Sequence, residues 1–145
     1  MSEPIAIRPP FWFWLVSGLF LLWALAGCYA CYAQLTISEA GLAALPPAQR
    51  DAWVTMTPLP KAAYAVAVAA GLLGAILLLL RSRLARPIFI VSLVGVIVQF
   101  GWFFGPYAGL AKLGASAAIF PAVIFLFAAA EIWFAGLAAR SGWLR

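Results

Sequence analysis

Four runs of apolar residues, each about as long as a membrane-crossing helix, constrain this chain more than any other feature. The hydrocarbon core of a bilayer requires about 20 mostly apolar residues in a helix, and a helix satisfies all of its own backbone polar groups there. The runs predict spans at 11–32, 62–80, 88–104 and 116–139. We therefore expect residues 1–145 to form one all-α membrane domain, an integral four-helix bundle in the lipid bilayer.

The composition excludes several classes of function. The chain is 67% hydrophobic and 9% charged, whereas soluble domains carry about 25% charged residues. Its net charge of +5 comes from basic residues that flank the spans, a placement that indicates membrane topology rather than nucleic-acid binding. With no His, two Met and two Cys, it lacks the usual haem and metal ligands. We expect no cofactor, no metal and no nucleic-acid partner.

The basic residues also predict an orientation. Six fall on one side of the predicted bundle and three on the other: Arg8, Arg81, Arg83, Arg86, Arg140 and Arg145 against Arg50, Lys61 and Lys112. Because cytoplasmic loops carry the excess of Lys and Arg, both termini are predicted in the cytoplasm of a bacterium with the protein in its inner membrane. The loop 33–60 is then periplasmic. Pro46-Pro47 and the mixed sequence after it predict a short interfacial helix there.

Glu131 is the only acidic residue inside the predicted spans. A carboxylate in that position costs roughly 2.5–3.5 kcal/mol on insertion scales, so it needs a partner, a proton or a function. Three interpretations are open. A protonated Glu131 donates a hydrogen bond to Ser92 as a structural tie, or it couples a proton or cation to transport. In the third, it reaches Arg81 or Arg140 at the cytoplasmic face.

Other polar side chains lie at similar depths when each residue is counted as about 1.5 Å of helix. Ser92 and Ser17 share the predicted depth of Glu131, and Gln99 and Trp23 fall slightly nearer the periplasm. These residues predict an intramembrane polar cluster, within which the Trp23 indole is placed to bond the Gln99 amide.

The second span carries a stripe of small residues at a strict four-residue spacing. Its members are Ala63, Ala67, Gly71 and Ala75. Small residues allow two helix backbones to approach closely, which drives association inside a bilayer. The stripe either packs the bundle internally or forms a face for another subunit, in a homo-oligomer or a larger membrane complex.

Cys28 and Cys31 form a C-x-x-C motif near the periplasmic end of the first span. The motif resembles that of the quinone-coupled disulfide-forming membrane proteins, but their second cysteine pair and the Arg after the motif are missing. It also lies at a helix end, whereas reactive cysteines favour helix starts. Periplasmic thiol redox chemistry therefore competes with a plain packing role.

The segment Leu25–Cys28 also matches a lipobox, at which cleavage would leave a lipidated three-span protein. The apolar run before it is unusually rich in Trp and Phe, which favours an uncleaved first span.

The sequence offers no nucleotide-binding loop and no catalytic constellation, so we expect no enzyme. Three parts of the chain carry a resemblance to a known family: Leu21–Trp23 with Gly27 and Tyr32, Gly71–Arg83, and Ser141–Arg145. They resemble a small family of alphaproteobacterial inner-membrane proteins labelled as sugar transporters. The resemblance implies an oligomeric carrier of a small, sugar-type solute, although Glu131 and the cysteines lie outside it.

The hypothesis placed first is a non-catalytic membrane protein that acts through helix packing, as an accessory subunit or a self-assembling bundle. The alternatives are a small-solute transporter that uses Glu131 and a thiol redox protein that uses Cys28 and Cys31.

Overall fold

The computed structural model describes residues 7–145, which form α-helices and one 3-10 turn without any strand. The elements are α1 (Phe11–Leu35), α2 (Glu39–Ala44), α3 (Pro47–Thr55), α4 (Pro58–Leu79), α5 (Ala85–Phe104), α6 (Gly109–Leu113), the 3-10 turn (Ala115–Ala118) and α7 (Ile119–Arg140). Four helices, α1, α4, α5 and α7, are long and apolar enough to cross a membrane. The predicted all-α four-helix membrane bundle is confirmed. Residues 1–6 of the predicted domain lie outside the described part.

Three of the spanning helices are longer than predicted, by three or four residues at one end. Helix α1 continues to Leu35, α4 begins at Pro58 and α5 begins at Ala85. Prolines explain the early starts, because Pro58 occupies the first turn of α4 and Pro87 that of α5. The backbone N–H that proline lacks has no partner in a first turn.

Helices α4 and α5 form the closest pair, and the small-residue stripe lies between them. Ala63, Ala67, Gly71 and Ala75 are all buried inside the single chain. The stripe meets Gly95 of α5, where a Cβ atom would lie 2.8 Å from the Ala63 carbonyl oxygen. The stripe therefore packs the bundle internally, by the close backbone approach that small residues permit.

One end of the bundle, here called the terminal end, contains residues 7–10, 80–84 and 141–145. The Arg81 guanidinium links them, with Nε donating to the Trp143 carbonyl at 2.8 Å and Nη2 to the Ile7 carbonyl at 3.0 Å. Both described chain ends therefore lie beside the α4–α5 turn. Their cytoplasmic location stays a prediction.

Large aromatic rings fill the half of the bundle next to the terminal end. Phe13 and Phe20 of α1 pack on Phe134 of α7 with ring centroids 5.7 and 5.8 Å apart. Trp12 and Trp143 close the same cluster at 5.2 Å. Since α1 and α7 meet here through long side chains, their backbones stay well separated.

The opposite end, here called the cap end, contains residues 36–57 and 105–118. Two short helices occupy its first segment, α2 and α3, where the sequence predicted one. Arg50 of α3 donates hydrogen bonds to the Leu42, Ala43 and Leu45 carbonyls, from 2.9 to 3.1 Å. These carbonyls lie at the C-terminal end of α2 and in the residue after it, where a cation is favourable, so the guanidinium joins α2 and α3 into one unit.

Candidate functional site

A partly open cavity of about 990 Å³ lies between the four spanning helices and extends from the cap end to just past the middle of the bundle. Residues of all four spans line it, and Trp53 of α3 and Met56, the residue after α3, line it from the cap end. Cavities that bury small molecules measure roughly 300–1,000 Å³. The bundle is therefore filled by aromatic rings next to the terminal end, whereas a partly open cavity separates its helices nearer the cap end.

One face of each spanning helix forms the wall. Two helices contribute residues at the same spacing of four, three and four positions. They are Trp23, Gly27, Ala30 and Gln34 of α1, and Ser92, Val96, Gln99 and Phe103 of α5. Residues at these intervals share one side of an α-helix over three turns. The walls thus present small, aromatic and amide side chains along the length of the cavity.

Glu131 lies in the cavity wall, slightly past the middle of α7. Its side chain is 4% exposed, and no hydrogen bond reaches its carboxyl among residues 7–145. The expected partner, Ser92, lines the same cavity but donates its hydroxyl proton to the Ala67 carbonyl at 2.7 Å. The predicted tie between Glu131 and Ser92 is therefore absent, because a backbone carbonyl takes the hydroxyl.

The arginines proposed to reach Glu131 are placed elsewhere. The Arg81 guanidinium donates its hydrogen bonds to the Trp143 and Ile7 carbonyls at the terminal end. The Arg140 guanidinium, together with that of Arg86, lies beside Gly136. No Lys or Arg lines the cavity within the described residues, so Glu131 has no cationic neighbour on its walls.

The structure brings together four members of the predicted polar cluster. Glu131, Ser92, Gln99 and Trp23 all line the cavity, but the Trp23 indole stacks on Phe127 at 4.0 Å and does not bond Gln99. Ser17 lies apart in the aromatic half, fully buried and without a hydrogen-bond partner in the described chain.

The two cysteines are free thiols. Cys28 donates its thiol hydrogen to the Val68 carbonyl at 3.3 Å, and Cys31 is 4% exposed. Within residues 7–145, no group of three or more Cys, Asp or Glu residues stands close enough to hold a metal ion.

Side-chain contacts hold α3 in place, one by joining the two segments of the cap end and one by tying α3 to α4. The Tyr107 hydroxyl donates to Asp51 Oδ2 of α3 at 2.7 Å, and Lys61 lies 4.7 Å from the centre of the Trp53 ring. Burial, helped by the hydrogen bond to Asp51 and by its negative charge, raises the pKa of Tyr107 to about 12. Helix α3 is thereby held over the cavity from two sides.

The Tyr107 contact is expected to make stability fall at alkaline pH. A phenol whose pKa is raised from 10 to about 12 in the folded protein stabilises it fully below pH 10, and loses that contribution as the pH rises through the folded pKa. In thermal unfolding in detergent, wild type should lose stability more steeply between these values than Tyr107→Phe. Tyr29→Phe, at an exposed position, should keep the wild-type profile. Parallel profiles of stability against pH for wild type and Tyr107→Phe would contradict the role of Tyr107 in holding α3.

The sequence reasoning missed the cavity and several of its lining residues. Gln34 and Tyr64 were not predicted as site residues, and nor was Gln49 of α3. The available signal was the shared spacing of the lining faces of α1 and α5, on which polar and small residues recur every three or four positions.

Comparisons with protein-family models, curated proteins and solved structures find no match to this chain. The resemblance to sugar-transporter-like proteins stays a prediction, and the functional argument rests on the geometry of the cavity.

Proposed function

We propose that this protein is a small-solute carrier of the membrane that binds its substrate in the central cavity. One observation supports this most: a carboxyl without a partner, Glu131, lies in the wall of a 990 Å³ cavity that all four spans line. A mostly apolar cavity with few, well-placed polar groups is the usual form of a small-molecule site. An ionisable group inside a membrane domain marks a substrate or proton pathway by default.

Solute binding has more support than the helix-packing role placed first from the sequence. The four residues of the small-residue stripe are buried between α4 and α5, so they are not free to hold another subunit. All of the cavity's walls come from one chain. Binding therefore requires no second copy, and the oligomer stays a prediction.

The carrier hypothesis assigns Glu131 the task of exchanging a proton for the solute. A buried carboxyl without a cationic neighbour either holds a proton or receives a positive group. Six basic residues at or next to the terminal end, against three at or next to the cap end, favour a cytoplasmic terminal end. In this orientation the cavity lies on the periplasmic side of the aromatic cluster.

The binding step is tested with N-phenyl-1-naphthylamine, a neutral apolar dye whose fluorescence rises in apolar surroundings. Ala30 lines the cavity on α1, whereas Ala33 of the same helix lies outside it. Ala30→Trp should fill the cavity and abolish saturable dye binding above that of protein-free micelles. Ala33→Trp should retain it. Equal dye binding by both variants would show that the cavity is not the binding site.

The transport step is tested with the same protein in proteoliposomes that enclose a pH-sensitive dye. A panel of neutral sugars, amines and carboxylates is added outside, and solute-evoked proton movement is followed. Glu131→Gln keeps the size of the side chain but removes the exchangeable proton, so the movement should vanish. Proton movement that survives in Glu131→Gln would reject proton exchange at this residue.

A further inference from the structure

The cavity has the charge character of a cation site. Among the described residues that line it, Glu131 is the only charged one. The nearby basic residues are engaged at the cap end: Lys61 lies over the Trp53 ring at 4.7 Å, and Lys112 over the Tyr107 ring at 4.1 Å. The cavity walls therefore supply no positive charge to an ionised Glu131. A positively charged ligand would supply it.

The polar groups around Glu131 suit a cation better than a polyhydroxylated solute. Ser92, which lines the same cavity from α5, already donates its hydroxyl proton to the Ala67 carbonyl at 2.7 Å. The amides of Gln34 and Gln49 stand toward the cap end, on α1 and α3. A sugar requires several converging hydrogen-bond groups at one place. Here a single carboxyl stands in a mainly apolar wall, which matches a ligand with one charged group.

Aromatic rings line the rest of the cavity. They belong to Trp23, Trp53, Tyr64, Phe100, Phe103 and Phe120. The faces of such rings attract organic cations, most strongly when water is excluded, and their apolar area accepts the hydrocarbon body that carries the charge. The volume of about 990 Å³ leaves room for a body of several rings.

From these observations we propose that the cavity takes a lipophilic organic monocation, with its single positive centre at Glu131 and its apolar body among the aromatic rings. This inference rests on the proposed carrier function and names its substrate class. Charge is balanced by one carboxylate for one cation. A proton that leaves Glu131 when the cation enters passes to the surrounding water.

The test uses two tetrahedral ions of nearly equal shape and opposite charge, tetraphenylphosphonium and tetraphenylborate, together with triphenylphosphine oxide, a neutral compound with one phenyl ring fewer. Equilibrium dialysis against the full chain in detergent, with protein-free micelles as background, measures each. We expect one saturable tetraphenylphosphonium site per chain and no saturable site for the anion. Glu131→Gln should weaken binding by about tenfold or more, as the loss of one buried charge contact predicts. Glu39→Gln, a change at an exposed carboxyl outside the cavity, should bind as wild type does.

A second measurement needs no variant and so does not depend on Glu131→Gln folding. Tetraphenylphosphonium should displace N-phenyl-1-naphthylamine from the wild-type cavity at lower concentration than triphenylphosphine oxide does. Equal displacement by the two, or binding unaffected by Glu131→Gln, would overturn the cation class while leaving a cavity that binds neutral solutes. Loss of dye binding in both Ala30→Trp and Ala33→Trp would instead count against the proposed function itself.

Discussion

Replacing Gly95 by alanine is expected to lower the free energy of unfolding of the bundle by about 1–3 kcal/mol, the usual cost of overpacking a tight contact. A Cβ atom at this position would lie 2.8 Å from the Ala63 carbonyl oxygen and 3.0 Å from the Ala67 Cβ atom. Both neighbours belong to α4 itself and have no long side chain that moves aside. The added methyl group is therefore accommodated only by separating α4 from α5.

Gly101 supplies the matched control because it lies on the same helix with nothing within 4 Å of its ideal Cβ position. Gly101→Ala should leave stability unchanged or raise it by up to about 1 kcal/mol, the difference in helix propensity. Unfolding by SDS in mixed micelles, followed by circular dichroism, measures both variants. Similar stabilities for the two would show that α4 and α5 are not in close contact at Gly95.

The membrane fold was predictable because its determinants are local. A helix that crosses a bilayer must be apolar over most of its length, so length and composition locate it without knowledge of its neighbours. The ends of α4 and α5 were harder to place. Pro58 and Pro87 lie inside the first turns of these helices, where a sequence pattern does not distinguish a helix start from a loop.

The cavity was not predictable, because it depends on the distances between helices. Ala63 and Ala67 bring α4 against α5, whereas Phe20 and Phe134 keep α1 and α7 apart. Small and large side chains are visible in the sequence, but the pairing of helix faces that turns their sizes into a void is not. Counting residues by depth still grouped Glu131 with Ser92, and both line the cavity.

Hydrogen-bond partners were the least predictable part of the site. Ser92 and Glu131 reach one cavity, yet the Ser92 hydroxyl bonds the Ala67 carbonyl. Within a membrane, a hydroxyl has many backbone carbonyls in reach, and their geometry is set only by the packed helices. Ser17 was also predicted in the polar cluster, but it does not line the cavity. Its depth suited the prediction, but Ser17 lies among the buried residues of α1 beside Phe13 and Phe20, outside the cavity.

Removing the hydroxyl of Ser17 is expected to stabilise the bundle, by about 1 kcal/mol in Ser17→Ala. The side chain is fully buried and its oxygen has no hydrogen-bond partner in the described chain. A buried polar group left without a partner costs about 1–3 kcal/mol, whereas an alanine methyl group at this place costs little. Phe13 and Phe20, one turn away on either side, are buried in the aromatic cluster. The surroundings therefore favour an apolar side chain.

Ser92→Ala gives the opposite expectation from the same chemical change. It removes the hydrogen bond from Ser92 to the Ala67 carbonyl, which should lower the free energy of unfolding by about 0.5–1.5 kcal/mol. The two variants are compared in one SDS titration. Because both variants exchange a helical Ser for Ala, the gain in helix propensity is the same for each, and the difference between their stabilities reports the hydrogen bonding. A loss of stability in Ser17→Ala equal to that in Ser92→Ala would mean that the Ser17 hydroxyl is bonded in the folded protein.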